Sequence, residues 1–162
     1  MRCVLTVCTA LRRPVFVERW LVTDVTSQLF RVSANCGWAV LAYCVMPDHL
    51  HALVEGRPDH ADVTTLARQF MQVTTCAYNT HARQPLWQPR HHERTLRDEE
   101  ASDTVARHIL ENPIRAGLTH APGEYPFAFS DVYDLQRLLP PAGVRVSRFR
   151  ARARAASSTR PR

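Results

Sequence analysis

The sequence contains no lysine, so all 21 of its basic residues are arginine. Seven of these arginines lie in residues 145–162, a segment that contains no acidic residue. The other 14 arginines are outnumbered by the 15 acidic residues, so the rest of the chain carries a formal charge of −1. The basic character therefore comes from the C-terminal segment. Its composition is typical of an arm that contacts phosphates, although a solubilising tail without a selected role would look the same.

Long apolar runs are also missing from the sequence. No stretch reaches the roughly 18 apolar residues that a membrane-spanning helix needs, so we expect no membrane segment. The N-terminus is too short and too polar to be a convincing signal peptide, so we expect a cytoplasmic protein. The five cysteines form no C-x-x-C pair and are odd in number, which favours buried free thiols over disulfides or a zinc site.

Hydrophobic periodicity predicts an α+β domain. Apolar residues alternate or run together over four segments and recur at spacings near 3.6 over three others. The short link 46–48 makes the second and third strands antiparallel neighbours. The element order is that of a ferredoxin-like domain, in which an antiparallel sheet packs with helices. The predicted strands are residues 3–9, 38–45, 49–55 and 91–96; the predicted helices are 18–34, 62–81 with Asp62 as cap, and a third that Asp98 caps and Asn112-Pro113 ends.

A length of 162 residues suits one domain with a substantial core. Internal repeats are absent, and the composition changes only where the arginine-rich segment begins. We therefore assign residues 1–135 to a single folded domain. Residues 136–162 are expected to form an arginine-rich, disordered tail.

One stretch combines a strand pattern with side chains that can bind metal. His49 and His51 alternate with Leu50, so in a strand both imidazoles lie on the same face. Two neutral imidazoles in this arrangement can hold a divalent cation or a phosphate oxygen. Two solvent-facing histidines on an edge strand are the alternative.

The surrounding residues resemble a known family. Residues 43–54, YCVMPDHLHALV, resemble the metal-binding strand of single-tyrosine HUH transposases, in particular the repeat-associated tyrosine transposases of bacteria. Residues 106–118, ARHILENPIRAGL, resemble the block that carries the nucleophile of that family. Two weaker matches, RPVF at 13–16 and LWQ at 86–88, have the same order and spacing. The resemblance covers roughly residues 1–130.

The resemblance implies a function, a cofactor and an assembly. Members of this family cleave and join single-stranded DNA at hairpin-forming ends, through a tyrosine that becomes linked to a 5′-phosphate. By resemblance, His49, His51 and Asn112 would hold Mg²⁺ or Mn²⁺, and the protein would be a homodimer. A cation at this place would neutralise charge on the phosphodiester oxygens.

The chain departs from the family at the nucleophile, because His108 stands where the family has tyrosine. Three hypotheses follow. The protein is an inactive or domesticated relative that still binds hairpin DNA or RNA, His108 itself attacks the phosphodiester, or another tyrosine substitutes. Tyr78 is the candidate substitute, although its place on an apolar helix face favours a core role; Tyr125 and Tyr133 lie in the C-terminal segment.

Several residues are candidates for nucleic-acid contact. Arg107 and Arg115 flank the helix of His108 and could grip phosphate, although Arg115 could also pair with Glu111. Trp87 could stack on a base beside Arg90, or belong to the core. We expect a transposase-like protein that cleaves and joins single-stranded hairpin DNA; a non-catalytic hairpin-binding module and a metal-dependent phosphodiesterase that uses water are the alternatives. The candidates in the tail are Arg145, Arg148 and Arg150.

Overall fold

The computed structural model describes residues 1–57, 62–97, 101–121 and 123–133 of the chain. The predicted tail, residues 136–162, falls outside these ranges. Within the described residues, no helix is both long and apolar enough to cross a membrane.

In the described part of the chain, five strands form a single antiparallel sheet. They are β1 (Arg2–Cys8), β2 (Trp38–Met46), β3 (His49–Gly56), β4 (His92–Thr95) and β5 (Ala128–Phe129). Their order across the sheet is β4-β1-β3-β2-β5, which places β3 in the centre. The tight turn at Pro47 and Asp48 joins β2 to β3 and makes them antiparallel neighbours, as predicted. The short β5 was not predicted.

Four helices in the described residues pack on this sheet. They are α1 (Arg19–Asn35), α2 (Val63–Ala82), α3 (Ser102–Leu110) and the single-turn α4 (Asn112–Arg115). The long helices α1 and α2 cover one face, and α3 covers the other. The α+β fold of ferredoxin-like order, an antiparallel sheet packed with helices, is therefore confirmed.

The alternation of side chains along β3 divides the core into two layers. Leu50, Ala52 and Val54 are fully buried against α1 and α2. Leu53 points to the opposite face and packs in the smaller layer beneath α3. Burial of a leucine such as Leu50 contributes about 1.5–3 kcal/mol to folding. The larger layer thus anchors β3, while the α3 face leaves room for polar side chains.

The start of α2 agrees with the sequence prediction. The carboxylate of Asp62 accepts hydrogen bonds from the backbone N–H groups of Thr64 and Thr65, at 3.0 and 3.2 Å. These two N–H groups have no partner inside the helix, so a carboxylate at this position satisfies them.

The prediction for the beginning of α3 is wrong. The helix starts at Ser102, and its N-cap is Ala101, whose side chain makes no capping hydrogen bond. Asp98, the predicted cap, lies before this position and outside the described residues. The cause is the acidic run 98–100, which resembles a first helical turn in composition but precedes the turn that the packing of α3 selects.

Asn112 begins a separate short helix, α4, and does not lie on α3. The last residue of α3 is Leu110, and Glu111 links the two helices. Pro113 has no backbone N–H, so it cannot make the hydrogen bond that would continue α3 without interruption. The predicted break at Asn112-Pro113 is therefore correct to within two residues.

The cysteines are free thiols, as expected, but they are not all buried. Cys3, Cys8 and Cys44 are buried in the sheet, and Cys36 is partly exposed. Cys76 is exposed on α2, contrary to the expectation of burial. Its position falls on the solvent side of an otherwise amphipathic helix.

Candidate functional site

His49 and His51 project side by side from β3 on the face covered by α3. Their ring centroids are 4.6 Å apart, with the ring planes at 82°. Leu50 points the other way and is fully buried, which determines the orientation of both histidines. A one-residue slip of the strand would place both imidazoles in the apolar core, so the register of β3 is strongly specified.

Each of these imidazoles is held through its Nδ1 atom. Nδ1 of His49 lies 2.6 Å from Oδ1 of Asp48, and Nδ1 of His51 lies 2.8 Å from the hydroxyl of Thr6. A carboxylate only accepts, so Nδ1 of His49 carries a proton. The hydroxyl of Thr6 can donate or accept, so His51 can have its proton on either nitrogen.

Arg12 holds Asp48 in place from a strained turn. Its Nε lies 3.0 Å from Oδ2 of Asp48, and its guanidinium also contacts the sulfur of Cys8 at 2.8 Å. Leu11 and Arg12 both have left-handed backbone conformations, with φ of 56° and 55°. Such conformations are costly for residues other than glycine, and they persist where surrounding contacts impose them. The buried Thr9 supplies such contacts, because its carbonyl accepts from the N–H of Arg12 at 3.0 Å and its hydroxyl donates to the carbonyl of Arg13 at 2.8 Å.

The electrostatic surroundings keep His51 neutral. Burial, followed by the charges of His49, His108, Arg115 and Arg12, lowers the pKa of His51 to about 4. The charged form is therefore disfavoured at neutral pH.

His108, on α3, is bound by Arg115 of α4. Nη1 of Arg115 lies 2.7 Å from Nδ1 of His108, and Nη2 lies 3.1 Å from Nε2. A neutral imidazole has only one lone pair, so one of these contacts is a hydrogen bond and the other is a close approach. Burial and the Arg115 charge lower the pKa of His108, which keeps the ring neutral and able to accept. Arg115 also donates to the backbone carbonyl of His108, at 3.1 Å, and to the side-chain oxygen of Asn112.

The set that the resemblance assigns to Mg²⁺ or Mn²⁺ does not fit a divalent cation in this arrangement. His49 and His51 have suitable nitrogens, but the side-chain oxygen of Asn112 accepts a hydrogen bond from Arg115. The same guanidinium acts electrostatically on His51, so a positive charge is already present at the site. Among the described residues, no group of three or more His, Cys, Asp or Glu side chains is placed to hold a metal ion.

The family of the chain follows from a comparison with known proteins. The model of the IS200-like transposases matches residues 1–112, more than half of the chain, including His49, His51 and His108. The chain belongs to the IS200-like transposase family. The family predicted from residues 43–54 is thereby confirmed. A comparison with curated proteins gives no match.

Solved structures with the same fold include other transposases. A REP-associated tyrosine transposase bound to a REP hairpin has a TM-score of 0.68 and 20% identity, over 90% of this chain and 92% of its own. A candidate transposase from Deinococcus radiodurans R1 has a TM-score of 0.54 and 21% identity, over 69% of this chain and 89% of its own. At these identities the likeness establishes that this family member shares their fold.

All four tyrosines lie in the described residues, and each packs against other side chains. Tyr78 is buried in the core between the sheet and α2, on the face opposite His108. Tyr125 donates its hydroxyl to the carbonyl of Val45 at 2.8 Å, and burial raises its pKa to about 12. The ring of Tyr43 packs against Phe30 and Phe129, and Tyr133 packs beneath α3.

The remaining predicted contact residues divide into buried and exposed ones. Trp87 is only 5% exposed, its ring packs on Phe16 and Phe70, and its Nε1 donates to Thr74 at 2.7 Å. This burial removes it from the surface where a base could stack. Arg90 and Arg107 are exposed. Arg145, Arg148 and Arg150 lie outside the described residues.

Three residues of the site were not found from the sequence. Thr6 reaches His51 because β1 pairs with β3 in a register that places the two residues opposite each other. Asp48 directly precedes His49, so its adjacency could have suggested the contact. No sequence feature marked Arg12 as a site residue, apart from its position in the break after the first predicted strand.

Proposed function

We propose that this IS200-like transposase family member binds hairpin-forming single-stranded DNA at the α3 face of its sheet, without forming a covalent tyrosyl link. The observation that carries the proposal is that α3 contains a histidine and no tyrosine. His108 stands where the resemblance places the nucleophilic tyrosine, and Arg115 contacts its ring. A tyrosine nucleophile needs a free hydroxyl beside the phosphodiester. Tyr78 packs on the opposite face of the sheet, and the hydroxyl of Tyr125 donates to the carbonyl of Val45.

DNA binding is supported by family and by fold. The structural neighbour with a TM-score of 0.68 is bound to a REP hairpin, and it shares the fold of this chain. Arg12 pairs with Asp48, Arg115 contacts the ring of His108, and Arg107 is exposed on α3. Guanidinium groups of this kind suit phosphate oxygens, which they bind through two parallel hydrogen bonds.

The test is a binding and cleavage assay on hairpin oligonucleotides. The protein is incubated with fluorescent single-stranded hairpins, with and without Mn²⁺, and analysed by anisotropy and on denaturing gels. We expect hairpins to bind in preference to unstructured strands of equal length, with neither cleavage nor a band that survives denaturation. Absence of hairpin binding in every condition would refute the proposal.

Two other outcomes identify the alternatives. A covalent protein–DNA band would contradict the proposal; its loss in His108→Ala would indicate a phosphohistidine, and its loss in Tyr78→Phe a substitute tyrosine. Cleavage without an adduct would indicate a phosphodiesterase that uses water.

Further expectations remain predictions. The homodimer implied by the resemblance would be measured by light scattering on the purified protein. The division into a domain of residues 1–135 and a tail of residues 136–162 would be measured by limited proteolysis, and the cytoplasmic location by fractionation of cells that express the chain.

A further inference from the structure

Arg115, an exposed residue of α4, contacts several groups of the polar site. Its guanidinium contacts the ring and backbone carbonyl of His108 and the side chain of Asn112. Its charge also acts on His51 and Cys44, which face each other across β3 and β2. One guanidinium thus links α3 to α4, and its charge acts on the central strands.

This arrangement opposes the binding of a divalent cation. The acceptor that a cation would need from α4 is the side-chain oxygen of Asn112, and Arg115 donates to it. A cation would have to displace the guanidinium and then remain close to its positive charge. At His51, the charge of Arg12 adds to that of Arg115. At His108, the charge of Arg94 adds to that of Arg115, and Glu111 acts in the opposite direction.

The same arrangement suits an anion. A guanidinium carries five N–H donors, and the contacts with His108 and Asn112 described above use three of them. When the hydroxyl of Thr6 donates to Nδ1 of His51, Nε2 of that ring carries a proton and becomes a further donor. A phosphate oxygen between Arg115 and His51 would therefore meet N–H groups from two directions.

We propose that Arg115 takes the place of a divalent cation in this chain and binds a non-bridging oxygen of a DNA phosphodiester directly. The inference rests on the proposed function, because the phosphodiester belongs to the hairpin. It adds that Mg²⁺ and Mn²⁺ are not needed for binding. The guanidinium is held in advance by His108 and Asn112, so little side-chain entropy is lost when the phosphate binds.

The first experiment measures hairpin affinity in EDTA and in Mn²⁺ at equal ionic strength. We expect the two affinities to agree within a few-fold. Binding that occurs only with Mn²⁺ would overturn this inference and leave the proposed function intact. Absence of binding in both conditions would overturn both.

The second experiment measures Mn²⁺ alone, by the paramagnetic resonance signal of the free ion, with no DNA present. The wild-type protein should leave Mn²⁺ free, and a stoichiometric loss of the signal would overturn the inference. Arg115→Gln should bind Mn²⁺ more tightly than wild type, because the side-chain oxygen of Asn112 is released and a positive charge is removed. Arg68→Gln is the matched control, since it removes the same charge from an exposed position on α2, across the sheet.

The two variants also separate a direct phosphate contact from a general loss of charge. Arg115→Gln should weaken hairpin binding in EDTA on the order of tenfold relative to Arg68→Gln. Equal affinities for the two variants would show that Arg115 contributes only through net charge, and the inference would fall.

Discussion

Asp48 lies 2.6 Å from Nδ1 of His49 through one carboxylate oxygen, while Arg12 lies 3.0 Å from the other. The carboxylate thus links the strained turn after β1 to the first histidine of β3. This contact selects the ring nitrogen that faces the site, in the way that supporting groups orient imidazoles in other functional sites.

Replacement of Asp48 should separate this orienting role from the effect of its charge. Asp48→Ala and Asp48→Asn both remove a negative charge, which alone favours DNA binding, but only Asn keeps an oxygen that can accept from His49. We expect Asp48→Ala to bind the hairpin on the order of tenfold more weakly than Asp48→Asn, as measured by anisotropy. Equal affinities would show that the contact does not orient His49 for binding.

Trp87 should act on stability and not on DNA binding. Trp87→Phe removes the hydrogen bond to Thr74 and part of the packing on Phe16 and Phe70. We expect the free energy of unfolding in urea to fall by about 2 kcal/mol. Trp20→Phe, a control at a position that is 45% exposed, should change it by less than about 0.5 kcal/mol. A Trp87→Phe variant of normal stability with weakened hairpin binding would instead identify Trp87 as a base-stacking residue.

The cap of α2 should make stability depend on pH in the acid range. The hydrogen bond from Thr65 and the backbone N–H groups of Thr64 and Thr65 lower the pKa of Asp62 below its usual 3.8. A depressed carboxylate pKa stabilises the fold above the usual value, and this contribution is lost as pH falls through the folded value.

The measurement is the urea midpoint at pH 7 and at about pH 2.5. Asp62→Asn keeps a capping oxygen that does not titrate. We therefore expect the urea midpoint to fall further in wild type than in Asp62→Asn between pH 7 and about pH 2.5. Identical losses would contradict the role of the charged cap.

Deletion of residues 145–162 should weaken hairpin binding and flatten its dependence on salt. The segment contains seven arginines and no acid. Each arginine that neutralises a phosphate contributes a slope of about 0.7–0.9 to the plot of log affinity against log salt concentration. A full-length variant with these arginines replaced by glutamine is the control, since it keeps the chain length. An unchanged slope in either variant would show that the tail is not a phosphate-binding arm.

The sequence by itself determined the features that depend on neighbours in the chain. Alternation made His49 and His51 share a face, the short turn at Pro47 and Asp48 paired β2 with β3, and Asp62 capped α2. These features follow from side-chain periodicity and from turn and capping chemistry, which act over a few residues. The block around His108 likewise identified the family and the departure from it.

Only the tertiary structure decided which groups surround the two histidines. Thr6 meets His51 through the pairing of β1 with β3, across 45 positions of sequence. Arg115 contacts His108 and Asn112 and does not pair with Glu111, which lies four positions earlier. The reason is that α3 and α4 pack over the polar end of the sheet. Such contacts depend on strand register and helix packing, which local sequence patterns do not encode. The consequence is physical: a pair of imidazoles with the chemistry of metal ligands lies in a site that already contains a fixed positive charge.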